Sequence, residues 1–131
     1  MAKRKEVVPW DGLPDGFEPK ANQFGFVYIL ECEDEGKHKG VKYIGSKRFW
    51  SMRADKKSES DWRKYQSSST TAKSWKKVKK TVLHIASSKF ELEYLEILYI
   101  MEREALLRDD FCNYMLGRIT IGRRPAYMAI K

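Results

Sequence analysis

Cysteine and histidine are scarce in this chain, with two of each among 131 residues. Cys32 and Cys112 lie far apart, which argues against a disulfide framework, and neither they nor His38 and His84 have the spacing of a zinc finger or ribbon. No structural zinc site is expected. There is no apolar run long enough to span a bilayer and no signal-like leader, so no membrane partner is expected and a reducing cytoplasm fits best. Proline is sparse and unevenly placed. Pro9, Pro14 and Pro19, with Gly12 and Gly16 among them, prevent residues 1–24 from forming a regular helix or central strand. That segment reads as an irregular arm, which Trp10, Phe17 and Phe24 could pin to a core. No internal repeat divides the remainder, and the length suits one domain.

Acidic residues are also in deficit: 26 Lys and Arg face 18 Asp and Glu, a formal charge of +8. That balance favours a polyanionic partner, nucleic acid first, over a merely soluble basic surface. No protein partner is evident. Lys3-Arg4-Lys5 is either a solvated tail or an extra phosphate contact, and the basic tail 122–131 closes the sequence.

The regular elements are legible from pattern. Gly25-Phe26-Val27-Tyr28-Ile29 and Tyr43-Ile44-Gly45-Ser46 are rich in β-branched and aromatic residues, and the polar tract Glu33–Gly40 separates them, which predicts a hairpin. Ser67-Ser68-Ser69-Thr70 offers hydroxyl caps for a helix running through Lys73, Lys76, Lys77, Lys79 and Lys80. Those lysines suit either a solvated face or contact with a phosphate backbone, and the basic composition favours the latter. Thr81–Ala86 predicts a third strand, with His84 facing one way and Leu83 and Ile85 the other. Phe90–Arg108, free of Gly and Pro and nearly apolar all round in its middle, predicts a long buried helix. Gly117–Gly122 adds a short strand or coil. Together these give an α/β (α+β) layer sandwich, a short, mainly antiparallel three-stranded sheet flanked by helices.

One residue stands out in the long helix. Glu96 is the single charge in Tyr94–Met101, and an ionised carboxylate removed from water costs several kcal/mol unless a cation compensates it. It must meet an Arg, a Lys, a metal ion or the helix boundary. Glu93 is its rival for any special role, whereas Glu102 and Glu104 stand among Arg103 and Arg108, where surface pairs explain them.

The two tyrosine triplets, Phe26-Val27-Tyr28 and Tyr43-Ile44-Gly45, resemble the signature of the GIY-YIG endonuclease family. Trp62-Arg63-Lys64-Tyr65-Gln66-Ser67-Ser68-Ser69 resembles its phage freestanding homing-type branch. The likeness spans about residues 25–121 and implies a GIY-YIG-like, metal-dependent DNA endonuclease. By resemblance, Glu96 would hold one Mg²⁺ or Mn²⁺, Tyr43 and Tyr28 would line the active site, and Arg53 would be the catalytic cation on a helix after the second triplet. Lys47 is a second candidate for that cation, Tyr65 stands where other members use a histidine, and Asn113 matches an asparagine that fixes neighbouring backbone, a place where a helix C-cap is the ordinary alternative. Gly45 would let the strand end in a tight exit. Such chemistry needs these residue types, because phosphodiester hydrolysis gathers negative charge on the phosphoryl oxygens and requires a group to take a proton from water. Lys47, Arg48, Arg63, Lys73, Lys76, Lys77 and Lys80 complete the expected nucleic-acid contacts. Two other classes remain open: a nucleic-acid-binding module of the same fold without cleavage, and a small basic protein that recruits a host partner through its arm.

Overall fold

A computed structural model describes residues 8–53, 55–114, 116 and 124–130, Arg53 through its backbone alone. Lys3-Arg4-Lys5 and the Gly117–Gly122 segment lie outside the described residues. The architecture is a three-stranded antiparallel sheet, in the order β2 (Lys42–Arg48), β1 (Gly25–Cys32), β5 (Val78–Ala86), with a separate two-stranded hairpin and one long helix. Strand β1 (Gly25–Cys32) is central and buried on both faces. It forms the expected hairpin with β2, in a register that sets Tyr28 opposite Gly45 and Ile29 opposite Ile44.

Alternation along β1 builds two cores. Phe26, Tyr28, Leu30 and Cys32 face Phe49, Trp62, Ala72 and Trp75, and the arm closes this side with Trp10, Leu13 and Phe17. The Trp10 indole donates to the Trp62 carbonyl at 2.7 Å. On the other face, Val27, Ile44 and Ala86 meet Leu92 and Ile100 of α2 (Lys89–Glu102). Ser88 caps α2, its hydroxyl accepting from the Glu91 amide at 3.1 Å.

Four expectations need correction. The long helix stops at Glu102, and it is not buried all round: Tyr94, Leu98 and Met101 are exposed, because a single helix covers one sheet face and nothing described packs on its far side. The lysine-rich helix is only one turn, α1 (Thr70–Lys73), capped by Ser69. Beyond it the Asp34 carboxylate takes the amides of Lys76 (2.9 Å) and Lys77 (2.6 Å), which turns the chain into β5 (Val78–Ala86). Val78, Lys80 and Val82 then alternate inward, and the ladder with β1 overrides a weak helical propensity. Within β5 a bulge shifts the register at Leu83, so Leu83 packs towards α2 while Ile85 packs on the aromatic side, rather than both facing one way. Finally, no helix follows β2. The chain forms the hairpin β3 (Trp50–Arg53) and β4 (Lys56–Glu59), turned tightly at Asp55, whose φ of 64° aspartate tolerates.

Both sheet edges are covered unequally. The arm runs beside β5, with Asp11 bonded to Lys80 and Val82 backbone at 2.8 Å each. Along β2, residues 110–113 cover the edge only as far as Ile44. Lys42 donates to Asp110, Cys112 donates to Lys42, and the Asn113 side chain grips Ile44. Past Ile44 the β2 edge opens. Among the described residues no helix is long and apolar enough to cross a membrane, and both cysteines are free thiols.

Candidate active site

A cleft of about 1130 Å³ occupies that open edge, walled by β2, α2 and the β3–β4 hairpin. Tyr43, Lys47, Glu96 and Asn113 all line it, as do Arg48, Ser46 and Glu93. Of the sequence-predicted residues, Tyr43 and Lys47 come from β2, Glu96 from α2 and Asn113 from the stretch beyond it, and these three segments meet at one place. Tyr28 and Tyr65 stand behind that wall: the Tyr28 ring lies 6.3 Å from both Tyr43 and Tyr65, centroid to centroid, but neither Tyr28 nor Tyr65 borders the cleft. Arg53 sits on β3, whose Trp50, Ser51 and Met52 border the cleft; it is therefore on a strand and not on the expected helix.

Tyr28 explains Gly45. The two are direct partners across the ladder, and a Cβ at position 45 would stand 2.6 Å from the Tyr28 ring carbon Cζ and 2.9 Å from Tyr43 Cε1. Glycine is needed to seat the tyrosine, and β2 continues to Arg48 rather than ending in a tight exit. Tyr28 is fully buried. Its hydroxyl has Ser67 and Tyr65 as neighbours yet makes no hydrogen bond of good geometry, and burial first, then the nearby Tyr65 and Tyr43, raises its pKa well above the phenol value. Tyr43 is raised too, chiefly by burial and further by the charge of Glu96, while a hydrogen bond with Ser68 works the other way. The protein's own groups thus hold Tyr43 as a neutral phenol.

Glu96 fits the anomaly seen in its helix. Burial lifts its carboxyl above the ordinary value, Glu93 adds repulsion, and a hydrogen bond with Ser46 offsets part of the rise. Among the described residues it forms no ion pair with a Lys or Arg. Asn113 lies past the end of α2 and caps no helix. Instead its amide imitates a strand neighbour, Oδ1 accepting from Ile44 N at 2.9 Å and Nδ2 donating to Ile44 O at 2.8 Å. Both backbone groups of an otherwise open edge position are satisfied.

Lys47 is fixed by a partner that sequence reasoning missed. Its Nζ is 2.7 Å from Asp61 Oδ1 and 4.2 Å above the centre of the Tyr65 ring. The hydrogen bond from Lys47 holds the Asp61 carboxyl below the usual range. Nothing in the charged tract before Trp62 singles out Asp61; only the fold brings it to β2.

The expected nucleic-acid contacts scatter. Lys47 and Arg48 border the cleft, joined by Lys57 and Lys89, which the sequence did not mark. Arg63 is held by Glu18 (2.6 Å) and Glu59 (2.9 Å) over the Trp62 ring. Lys73, Lys76 and Lys77 are exposed but border no part of the cleft. Lys80 is buried, a correction with a clear cause: it sits on an inward position of β5, with its ammonium donating to the Tyr65 carbonyl at 2.7 Å and lying 4.3 Å from the centre of the Trp10 ring. It cannot meet a phosphate there.

No group of three or more acidic, histidine or cysteine side chains that could cage a metal exists among the described residues. Glu96 with Glu93 beside it is a different donor set, of the kind that suits an ion bound through one or two carboxylates and completed by water and phosphate oxygens.

The chain matches no curated protein and no solved structure. It does match a family model, described as "Putative endonuclease segE, GIY-YIG domain", over residues 13–116, which takes in the second half of the arm, both tyrosine triplets, Glu96 and Asn113. With most of its length so matched, the chain belongs to the GIY-YIG endonuclease domain family.

Proposed function

We propose that this nuclease-family chain is a divalent-metal-dependent DNA endonuclease of the homing type, working on phosphodiester bonds in the cleft beside β2. The observation that carries the reading is Glu96, a half-buried carboxylate with raised pKa and no ion-pair partner among the described residues, set in one cleft with Tyr43, Lys47 and Asn113. A phage-encoded setting rests on the likeness of the Trp62–Ser69 run alone.

Glu96 would hold Mg²⁺ or Mn²⁺, which would supply Lewis-acid stabilisation of the charge on the scissile phosphate. Tyr43 positions the attacking water. As a neutral phenol it takes up no net proton; the proton lost by the attacking water passes to solvent water in the cleft, and Ser68 is the hydroxyl hydrogen bonded to Tyr43. Arg53, on β3, offers positive charge to the oxygens that become more negative in the transition state; Lys47, steadied by Asp61, is the second source of such charge. Asn113 keeps the strand carrying Tyr43 and Lys47 rigid at Ile44, and Tyr28 packs the catalytic tyrosine from behind, with Tyr65 packed in turn on Tyr28.

A supercoiled-plasmid assay tests this directly. Nicking or linearisation in Mg²⁺ or Mn²⁺, lost in EDTA and in Glu96→Gln, is expected. DNA binding without cleavage under all these conditions would leave a binding module of the same fold.

A further inference from the structure

The β3–β4 hairpin has two unlike sides. Its register pairs Trp50 with Glu59, Ser51 with Ser58 and Met52 with Lys57, so the pleat sends alternate pairs to opposite sides. One side is fastened to the body. The Trp50 indole donates to the Gln23 carbonyl at 2.8 Å, Lys57 lies 4.7 Å over the Trp50 ring and reaches the Ala21 carbonyl at 3.3 Å, and Glu59 accepts from the Trp62 indole at 2.7 Å. The opposite side carries Ser51, Ser58 and Lys56, all exposed, the two serine hydroxyls 3.3 Å apart.

A lone two-stranded ribbon is at best marginally stable, yet this one is held along one side by Trp50, Lys57 and Glu59 and leaves Ser51, Ser58 and Lys56 free to bond outward on the other. A solvated surface hairpin would also be polar. What separates the two readings is place: Ser51 and Met52 border the cleft that holds Glu96, so a duplex with one phosphate in that cleft has the ribbon beside it. Two paired strands fit a major groove about 12 Å wide and are too broad for a minor groove of about 6 Å. Lysine and serine are both able to bond base edges there, and the surrounding Lys57 and Arg48 suit the flanking phosphates.

We propose that the β3–β4 hairpin enters the major groove next to the scissile phosphate and that Ser51, Lys56 and Ser58 set the sequence preference of the enzyme. The proposal rests on the reading of the cleft as a DNA-cleaving site, and the test keeps the two apart. The full chain carrying Glu96→Gln is used to select binders from a randomised double-stranded DNA pool, and the bound fraction is sequenced. Enrichment of a short block of base pairs is expected. Adding Ser51→Ala and Ser58→Ala should reduce enrichment at that block by roughly tenfold, Lys56→Ala should do the same at neighbouring positions, and 7-deazaguanine in the pool should mimic them by removing a major-groove acceptor. An enrichment profile unchanged by all three variants overturns the proposal. So does a profile sensitive to inosine, which removes the minor-groove amino group of guanine, but indifferent to 7-deazaguanine. If selection depends on the hairpin while the wild-type chain nicks no plasmid, the nuclease reading fails and the hairpin reading stands; nicking with a hairpin-independent profile sinks the hairpin alone.

Discussion

Two lysine-bearing regions lie at opposite ends of β1. At the Gly25 end, Lys47, Arg48, Lys57 and Lys89 surround a cleft that also holds two carboxylates and a tyrosine. At the Cys32 end, the denser run Lys73–Lys80 is spread over one turn of helix, a bend fixed by Asp34, and a strand that buries Lys80. An eight-residue strand separates the two by roughly 20 Å. Local charge density in a sequence thus says little about which basic side chains the fold gathers around a concavity.

The sharpest test of that contrast is Glu96→Gln, which should abolish metal-dependent cleavage while the fold and DNA binding persist. It should also raise the thermal midpoint at neutral pH. A carboxyl whose folded pKa is raised binds its proton more tightly in the native state, so stability is greatest below the ordinary carboxylate pKa and is lost as pH climbs through the folded value. The advantage of the glutamine should therefore vanish in acid; an advantage constant with pH would show that the native carboxyl is not strained by burial. Glu93→Gln removes a repulsive neighbour, and it should leave most activity but move the acid limb of the rate profile to lower pH.

Next in size come the cations near the cleft. Arg53→Ala should lower the single-turnover rate on the order of a hundredfold to a thousandfold with little loss of affinity, because its work is on charge present only in the transition state. Lys47→Ala is the companion measurement: a large rate loss there, with Arg53→Ala near wild type, assigns the role to the lysine held by Asp61. Affinity loss without rate loss in both variants would remove the transition-state role from each.

Smaller effects separate the two lysine regions themselves. Converting Lys57 and Lys89 to Gln should flatten the slope of log affinity against log salt by about one unit per lost contact. Lys76→Gln with Lys77→Gln should change it less, and an equal change would mean that bound DNA runs the length of β1. Least of all should Lys80→Met alter DNA affinity; its effect belongs in the thermal midpoint, since the ammonium lies under Trp10.

Much of the site was legible because its signals are local. The tyrosine hairpin follows from alternation around a polar turn, Ser69 announces a helix start by its hydroxyl, and Glu96 is conspicuous as the one charge in an apolar helical stretch. What escaped depends on partners distant in sequence. The lysine run becomes a strand because Asp34 and β1 capture it, Leu83 changes sides through a bulge imposed by pairing, and the β3–β4 hairpin lies in a charged tract with no apolar rhythm to reveal it. Lys57 and Lys89 border the cleft, and Asp61 pairs with Lys47, for the same reason: only folding selects them from many similar charges.

Asn113 has a bearing on how the protein is made. The tyrosine of β2 leaves the ribosome long before the amide that clamps Ile44, and Glu96 lies between them in order of synthesis. Until residue 113 has emerged, both backbone groups of Ile44 on the outer edge of β2 are unpaired and open to pairing with another chain. A nascent or truncated chain ending before this residue thus carries a longer sticky edge, which one side-chain amide shortens by both backbone groups of Ile44.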